Sequence, residues 1–392
     1  MPPPPGAGAF SWRRFLVVLA LLAAGVGIGV GLESYFRPPA PAAAPVQTVA
    51  AAPPPVPRRP APFAAPSGLL GVEAAISFQN NLFPSLLLSF GQVSSEYVRN
   101  LTVRVSHARV GKPFSLRVDS SLFQQPLIYT ATAAAETFAL TPDLPWNYDA
   151  LRQSTQLLPQ SFVVAVSTPE GGSAQTTVTA MVHSVNEVVS RILNVETGEW
   201  QDTSVCYAAF VNEDHPWIGR LLQEALASEI VDRFTGYELG RNSVALQMEA
   251  IWVALAARGN NYVDLAATSG LVPGMATQYV RFLDQAVRDR GANCVDASAL
   301  FASIFRRIGL RPVLLFKPGH CFVAVYDAAQ GGHLIAVETT LLGSGSFASA
   351  LAYGNRELEA TLPHLDTQGY STVDIIAARQ AGVKPIEFQS QE

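Results

Sequence analysis

The stretch Gly291-Ala292-Asn293-Cys294-Val295-Asp296, read with the apolar run that follows it to Ile308 and with Pro318-Gly319-His320-Cys321-Phe322, decides how this chain is understood. Leu300, Phe301, Ile304, Phe305 and Ile308 recur at helical spacing. Arg306 and Arg307 sit where cations suit the last turn, and Gly309 supplies the stop. The helix therefore begins at Asn293 or Cys294, with Asp296 in its first turn. A thiol at that end faces unpaired backbone N–H groups and the positive end of the helix dipole. That setting favours the thiolate and offers donors to an oxyanion.

Beyond Gly309 the period changes. Pro312–Phe316 is a short apolar strand, Pro318-Gly319 is turn chemistry, and His320 opens a run that continues to Tyr326. Residues 327–332 read as a hairpin loop, and the returning strand Leu334–Val337 ends at Glu338. Antiparallel neighbours bring His320 and Glu338 side by side when the register allows it. A thiol nucleophile, an imidazole base and a carboxylate that orients the base are the parts of a cysteine-type acyl-transfer site.

At these residues the chain resembles the transglutaminase-like branch of the papain-like cysteine enzymes, and its bacterial members more than the animal cross-linking enzymes. The likeness covers residues 290–340: Gly-x-Asn-Cys-Val-Asp, then Ile308-Gly309-Leu310-Arg311-Pro312-Val313, then Pro318-Gly319-His320, then Glu338-Thr339-Thr340. It implies an α+β domain with the nucleophile at the start of a helix and the base and acid on adjacent strands. Carried over by position, Cys294 is the nucleophile, His320 the base and Glu338 the orienting acid, a Glu where the family has Asp. Gln278, in Thr277-Gln278-Tyr279-Val280-Arg281, is the candidate for the family's upstream oxyanion-hole residue. The implied reaction is attack on an amide or peptide carbonyl through a Cys thioester, resolved by water or by an amine. The alternative is a catalytically inactive module that binds a protein or cell-envelope partner, because fold does not fix function.

Simpler readings compete at each position. A lone Cys is usually a buried core residue, and a lone His on an apolar strand is usually a satisfied core side chain; the ordered combination is what carries the resemblance. Cys321 follows His320 on a strand and so faces the other way, into the core. A Cys206–Cys321 disulfide fits an oxidising compartment, although nothing in the sequence places the two together. His215, in Asp214-His215-Pro216-Trp217, begins a helix around Ile218–Val231 rather than binding metal. His333 belongs to the hairpin, and His107 and His183 stand alone in strand-like text. With no HExxH, paired CxxC or phosphate loop, no metal or cofactor is indicated. Asn100-Leu101-Thr102 matches a glycosylation sequon short enough to arise by chance.

At 392 residues the chain has room for two or three domains, and a net charge of -5 argues against a nucleic-acid partner. Phe15 to Leu32 is uninterrupted apolar sequence close to the roughly 18 residues needed to span a bilayer. Arg13 and Arg14 precede it and Glu33 follows, so residues 1–14 lie in the cytoplasm, 15–32 form the anchor, and the remainder is exported. A cleaved signal peptide is the competing reading; the length of the apolar run favours an uncleaved anchor in the inner membrane. Gly25, Gly27, Gly29 and Gly31 include GxxxG spacings that suit helix pairing, but small residues filling a single span explain them more simply.

Residues 33–67 are a Pro/Ala-rich linker of extended polyproline character, which holds the folded part away from the bilayer on the periplasmic or extracellular side. Residues 68–188 alternate as short strands, among them Val98–Val105, Phe114–Val118, Ser161–Val166 and Thr176–Val182, and read as an antiparallel β-sandwich, Ig-like in size. Residues 189–392 form the transglutaminase-like domain, with helical patterns from Glu187 onward, including Ile218–Phe234, Ser243–Ala257 and Thr277–Arg288. A peptide or protein of the cell envelope is the substrate class that this location suggests.

Overall fold

The computed structural model describes residues 69–90, 100–194, 197–263, 272–365, 367 and 369–386. The expected anchor at 15–32 and the linker at 33–67 lie outside these residues. Among the described residues no helix is long and apolar enough to cross a membrane. The chain is a mixed α+β protein with several sheets.

Two of those sheets belong to the first part of the chain. Strands β1 (Gly71–Ile76), β3 (Leu101–Ser106) and β6 (Phe138–Leu140) form an antiparallel sheet in the order β1-β3-β6. Strands β2 (Asn81–Leu82), β4 (Pro113–Asp119), β5 (Leu127–Thr132), β7 (Leu158–Ser167) and β8 (Ser173–Val182) form a second, in the order β2-β8-β7-β4-β5. Alternation does the folding work here. Leu101, Val103 and Val105 on one sheet and Phe162, Val164 and Val166 on the other are buried in one shared core, while Thr102 and Arg104 between them face solvent. The pairing is antiparallel except at β2, which runs parallel to β8.

Helix α1 (Pro84–Phe90) leaves the first part, and Leu86 on it together with Phe83 just before it enter the core of the second. That second core begins with a strand. β9 (Glu187–Leu193) lies between β10 (Trp200–Asp202) and β12 (Met275–Tyr279), with the register Gln278↔Val188. The helices expected from Glu187 onward therefore start only after β10, at the 3₁₀ turn Ser204–Phe210. The helix expected over Thr277–Arg288 is likewise replaced by β12 and the short helix α5 (Leu283–Asp289). In both places hydrogen bonding to a strand far away in sequence outweighs a local pattern compatible with helix.

Helices α3 (Pro216–Leu226) and α4 (Arg241–Ala257) pack beside the helix of greatest interest, α6 (Cys294–Arg307). The short α2 (Tyr148–Arg152) belongs to the first part, and β11 (Asn261–Tyr262) pairs with β13 (Gly291–Ala292), just before α6. The last sheet runs β16-β15-β14-β17, from β14 (Pro312–Lys317), β15 (His320–Tyr326), β16 (Leu334–Val337) and β17 (Ser371–Asp374). Its two faces read directly from residue parity. Leu314, Cys321, Val323, Val325 and Val337 join the core that contains α6. Val313, Leu315, Phe322, Ala324 and Ala336 join a smaller core with Leu358 of α7 (Phe347–Thr361). Helix α8 (Ile375–Gln380) closes the described part, capped by Asp374.

Candidate active site

Cys294 is the first residue of α6, and the helix starts there because Asn293 caps it. The Asn293 side chain accepts from the N–H groups of Val295 and Asp296, both at 2.9 Å, and the Asp296 carboxylate accepts from the Asn293 N–H at 3.1 Å. This reciprocal box uses up two of the first-turn donors that the sequence offers to an oxyanion. Among the described residues, the N–H of Cys294 itself keeps no acceptor. Cys294 is 9% exposed and borders a cleft of about 1120 Å³, twice the roughly 560 Å³ of the polar groove around Gln124 and Gln160 on the first part.

His320 opens β15, after the turn at Gly319, whose φ of 74° favours glycine. Its ring stacks on Phe322, with centroids 6.1 Å apart and planes at 21°, and it lines the same cleft as Cys294. Nε2 lies 2.8 Å from Glu338 Oε2. The other Glu338 oxygen accepts from the Thr340 N–H at 3.0 Å and its hydroxyl at 2.6 Å. The β15–β16 ladder pairs Val323 with Val337, so Glu338 lies one step beyond its end, diagonal to His320, and caps the 3₁₀ turn Thr339–Leu341.

The charges are consistent with this geometry. Burial alone disfavours the imidazolium, but the Cys294 thiol and the Glu338 carboxylate outweigh it and raise His320 from 6.5 to about 9. Burial also works against the Glu338 carboxylate, yet His320 and the Thr340 donors hold its pKa below the ordinary 4.5. An ionised Glu338 accepts only, so Nε2 carries the proton and donates it. Nδ1 is then the nitrogen left for the thiol.

Gln278, expected on a helix, stands instead on β12 and lines the same cleft. The loop after it is fixed to α6: Asp296, fully buried, accepts from the Arg281 backbone N–H at 2.7 Å and pairs with the Arg281 guanidinium at 3.0 Å. Sequence reasoning missed this pair and also missed Tyr207. Tyr207 is buried against the Phe316 ring with centroids 4.5 Å apart and lines the same cleft as Cys294. Burial pushes its phenol pKa up, so it remains a donor. Asp296 was visible in the sequence as the third residue after a capping Asn, whereas Tyr207 left no local signal.

The remaining candidates are structural. Cys206 and Cys321 are free and buried, so the two form no disulfide. His215 caps α3, its Nδ1 accepting from the Trp217 N–H at 3.2 Å. That helix ends at Leu226, earlier than its apolar text suggests. His183 is buried where the two parts of the chain meet, its ring nitrogens 3.0 Å from Glu187 and 2.8 Å from Asn81, with Phe83 stacked on it at 4.1 Å. Among the described residues no group of three His, Cys, Asp or Glu side chains is arranged to hold a metal. The chain matches no protein-family model, no curated protein and no solved structure, so the residues of this cleft are the basis for any reading of its chemistry.

Proposed function

We propose that the chain is an exported, membrane-anchored thiol enzyme of transglutaminase-like type, with an Ig-like β-sandwich ahead of its catalytic domain, acting on an amide or peptide carbonyl. The observation that carries this reading is the His320–Glu338 hydrogen bond, with His320 lining the same cleft as Cys294. The Cys294 sulfur attacks the carbonyl carbon, and the oxyanion is met by the Cys294 N–H and the Gln278 side-chain amide. The His320 imidazolium protonates the leaving amine as the C–N bond breaks, leaving a thioester. Water or a second amine then attacks the thioester, gives its proton to His320 and frees the thiol. Glu338 holds the ring in the tautomer that both steps need.

The test is the rate of Cys294 alkylation by iodoacetamide, read by mass spectrometry, with complementation of a deletion strain by Cys294→Ala at matched protein level. The reading expects slower alkylation in His320→Ala and no rescue by Cys294→Ala. Equal alkylation rates together with full rescue would reduce the chain to a binding module on an enzyme fold.

A further inference from the structure

We infer that Arg191 is an anion-binding subsite of the catalytic cleft, and that the substrate carries a carboxylate held by this guanidinium while Cys294 acts; the inference rests on the acyl-transfer reading above. Arg191 on β9 and Cys294 border the same cleft. In the ladder Arg191 stands opposite Asp202 of β10, within easy reach of an ion pair. No such pair forms. The guanidinium lies over Trp200, 5.7 Å from the ring centroid, while Asp202 accepts from the Ser204 N–H at 2.8 Å. The cleft's lysine, Lys317, is committed to Glu357. Among the described residues Arg191 thus has a ring beneath it and makes no ion pair with a carboxylate. The contact with the ring positions the guanidinium and leaves its N–H groups available for a two-point contact with a carboxylate.

The position of this edge relative to the chemistry follows from Gly369. A β-carbon built on Gly369 would lie 3.8 Å from Arg191 Nη1 and 3.3 Å from Cγ of Pro318, in the turn that leads into His320. Gly369, with φ of 95°, is thus a neighbour of both the guanidinium and the turn that leads into His320. Glu199 and Asp202 line the cleft as well, so long-range attraction is not what selects an anion here. The selecting feature is the local fork of Arg191. The ligand class is an amide that carries a carboxylate within the span of this cleft, either a C-terminal carboxylate or an Asp or Glu side chain.

Three bromoacetyl probes test this. In each, the Cys294 sulfur displaces bromide and forms an S–CH₂ bond. One probe is bromoacetyl-Ala-Ala with a free C-terminus, the second is the same peptide as its C-terminal amide, and the third is bromoacetyl-Ala-Glu amide, with only a side-chain carboxylate. At low salt at least one carboxylate probe should alkylate Cys294 about tenfold faster than the neutral probe, the scale of one charge-assisted hydrogen bond. Which one is faster identifies the source of the carboxylate. The ratio should fall to near one in Arg191→Gln, and Arg191→Lys, which keeps the charge but not the fork, should retain only part of it. Equal rates for all three probes on the unmodified protein, or a preference that survives Arg191→Gln, would overturn the inference. Failure of the acyl-transfer reading would appear separately, as a neutral-probe rate that does not change in His320→Ala.

Discussion

Asp296 and Arg281 form a buried ion pair at 3.0 Å that ties the helix carrying Cys294 to the strand carrying Gln278. Asp296 also accepts from the backbone N–H groups of Arg281 and Asn293, so one carboxylate holds the loop and the helix cap together. Burial pushes its pKa up, and the bonds to Arg281 and Asn293 oppose that shift.

Removing this carboxylate should be costly, because it leaves the guanidinium and two N–H groups without their acceptor. Asp296→Ala is expected to lose about 3 kcal/mol of stability in urea unfolding, and Asp296→Asn less, since an amide oxygen still accepts. A loss below about 0.5 kcal/mol for Asp296→Ala would show that the pair does not anchor the cleft.

Glu338 depends on a helix packed behind it. Gly354 of α7 touches the strand leading to Glu338 so closely that a β-carbon would lie 2.5 Å from the Ala336 carbonyl oxygen and 2.7 Å from the Val337 Cα. The same helix accepts the Glu338 N–H through the Ala350 carbonyl at 3.0 Å. Gly354→Ala should therefore cost about 1–3 kcal/mol and slow Cys294 alkylation by displacing Glu338. Unchanged stability and rate in this variant would mean the contact relaxes freely.

The His320–Glu338 pair should give stability a window in pH. His320 is raised from 6.5 to about 9, so its contribution is full below about 6.5 and is lost as pH rises through 9. Glu338 is lowered below 4.5, so its contribution is present above 4.5 and is lost as pH falls through its depressed value. The difference in melting temperature between the natural protein and His320→Ala should peak between these limits. It should shrink above pH 9, and a difference that grows there would contradict the assigned pair.

The three cysteines should separate by access. Cys206 and Cys321 are free, buried and pushed to higher pKa by burial, whereas Cys294 borders the cleft. Alkylation of the native protein should modify Cys294 alone, and denaturation should expose all three thiols. Native labelling at Cys321, or a disulfide in non-reducing peptide maps, would contradict this arrangement.

Local chemistry in the sequence was enough to locate α6, its start at Cys294, and the hairpin from His320 to Glu338, because capping, apolar period and turn residues act within a few positions of one another. The same holds for the buried faces of β3 and β7, where simple alternation decides which side chains turn inward. It failed where partners are remote. β9 and β12 read as helical text and became strands because each completes the other's hydrogen bonds from far along the chain. Tyr207 and Arg191 took their places in the cleft by packing and pairing with remote residues, which no local pattern records. Tertiary structure also decided which ring nitrogen of His320 meets Glu338, since a strand register fixes that distance only once both strands are paired.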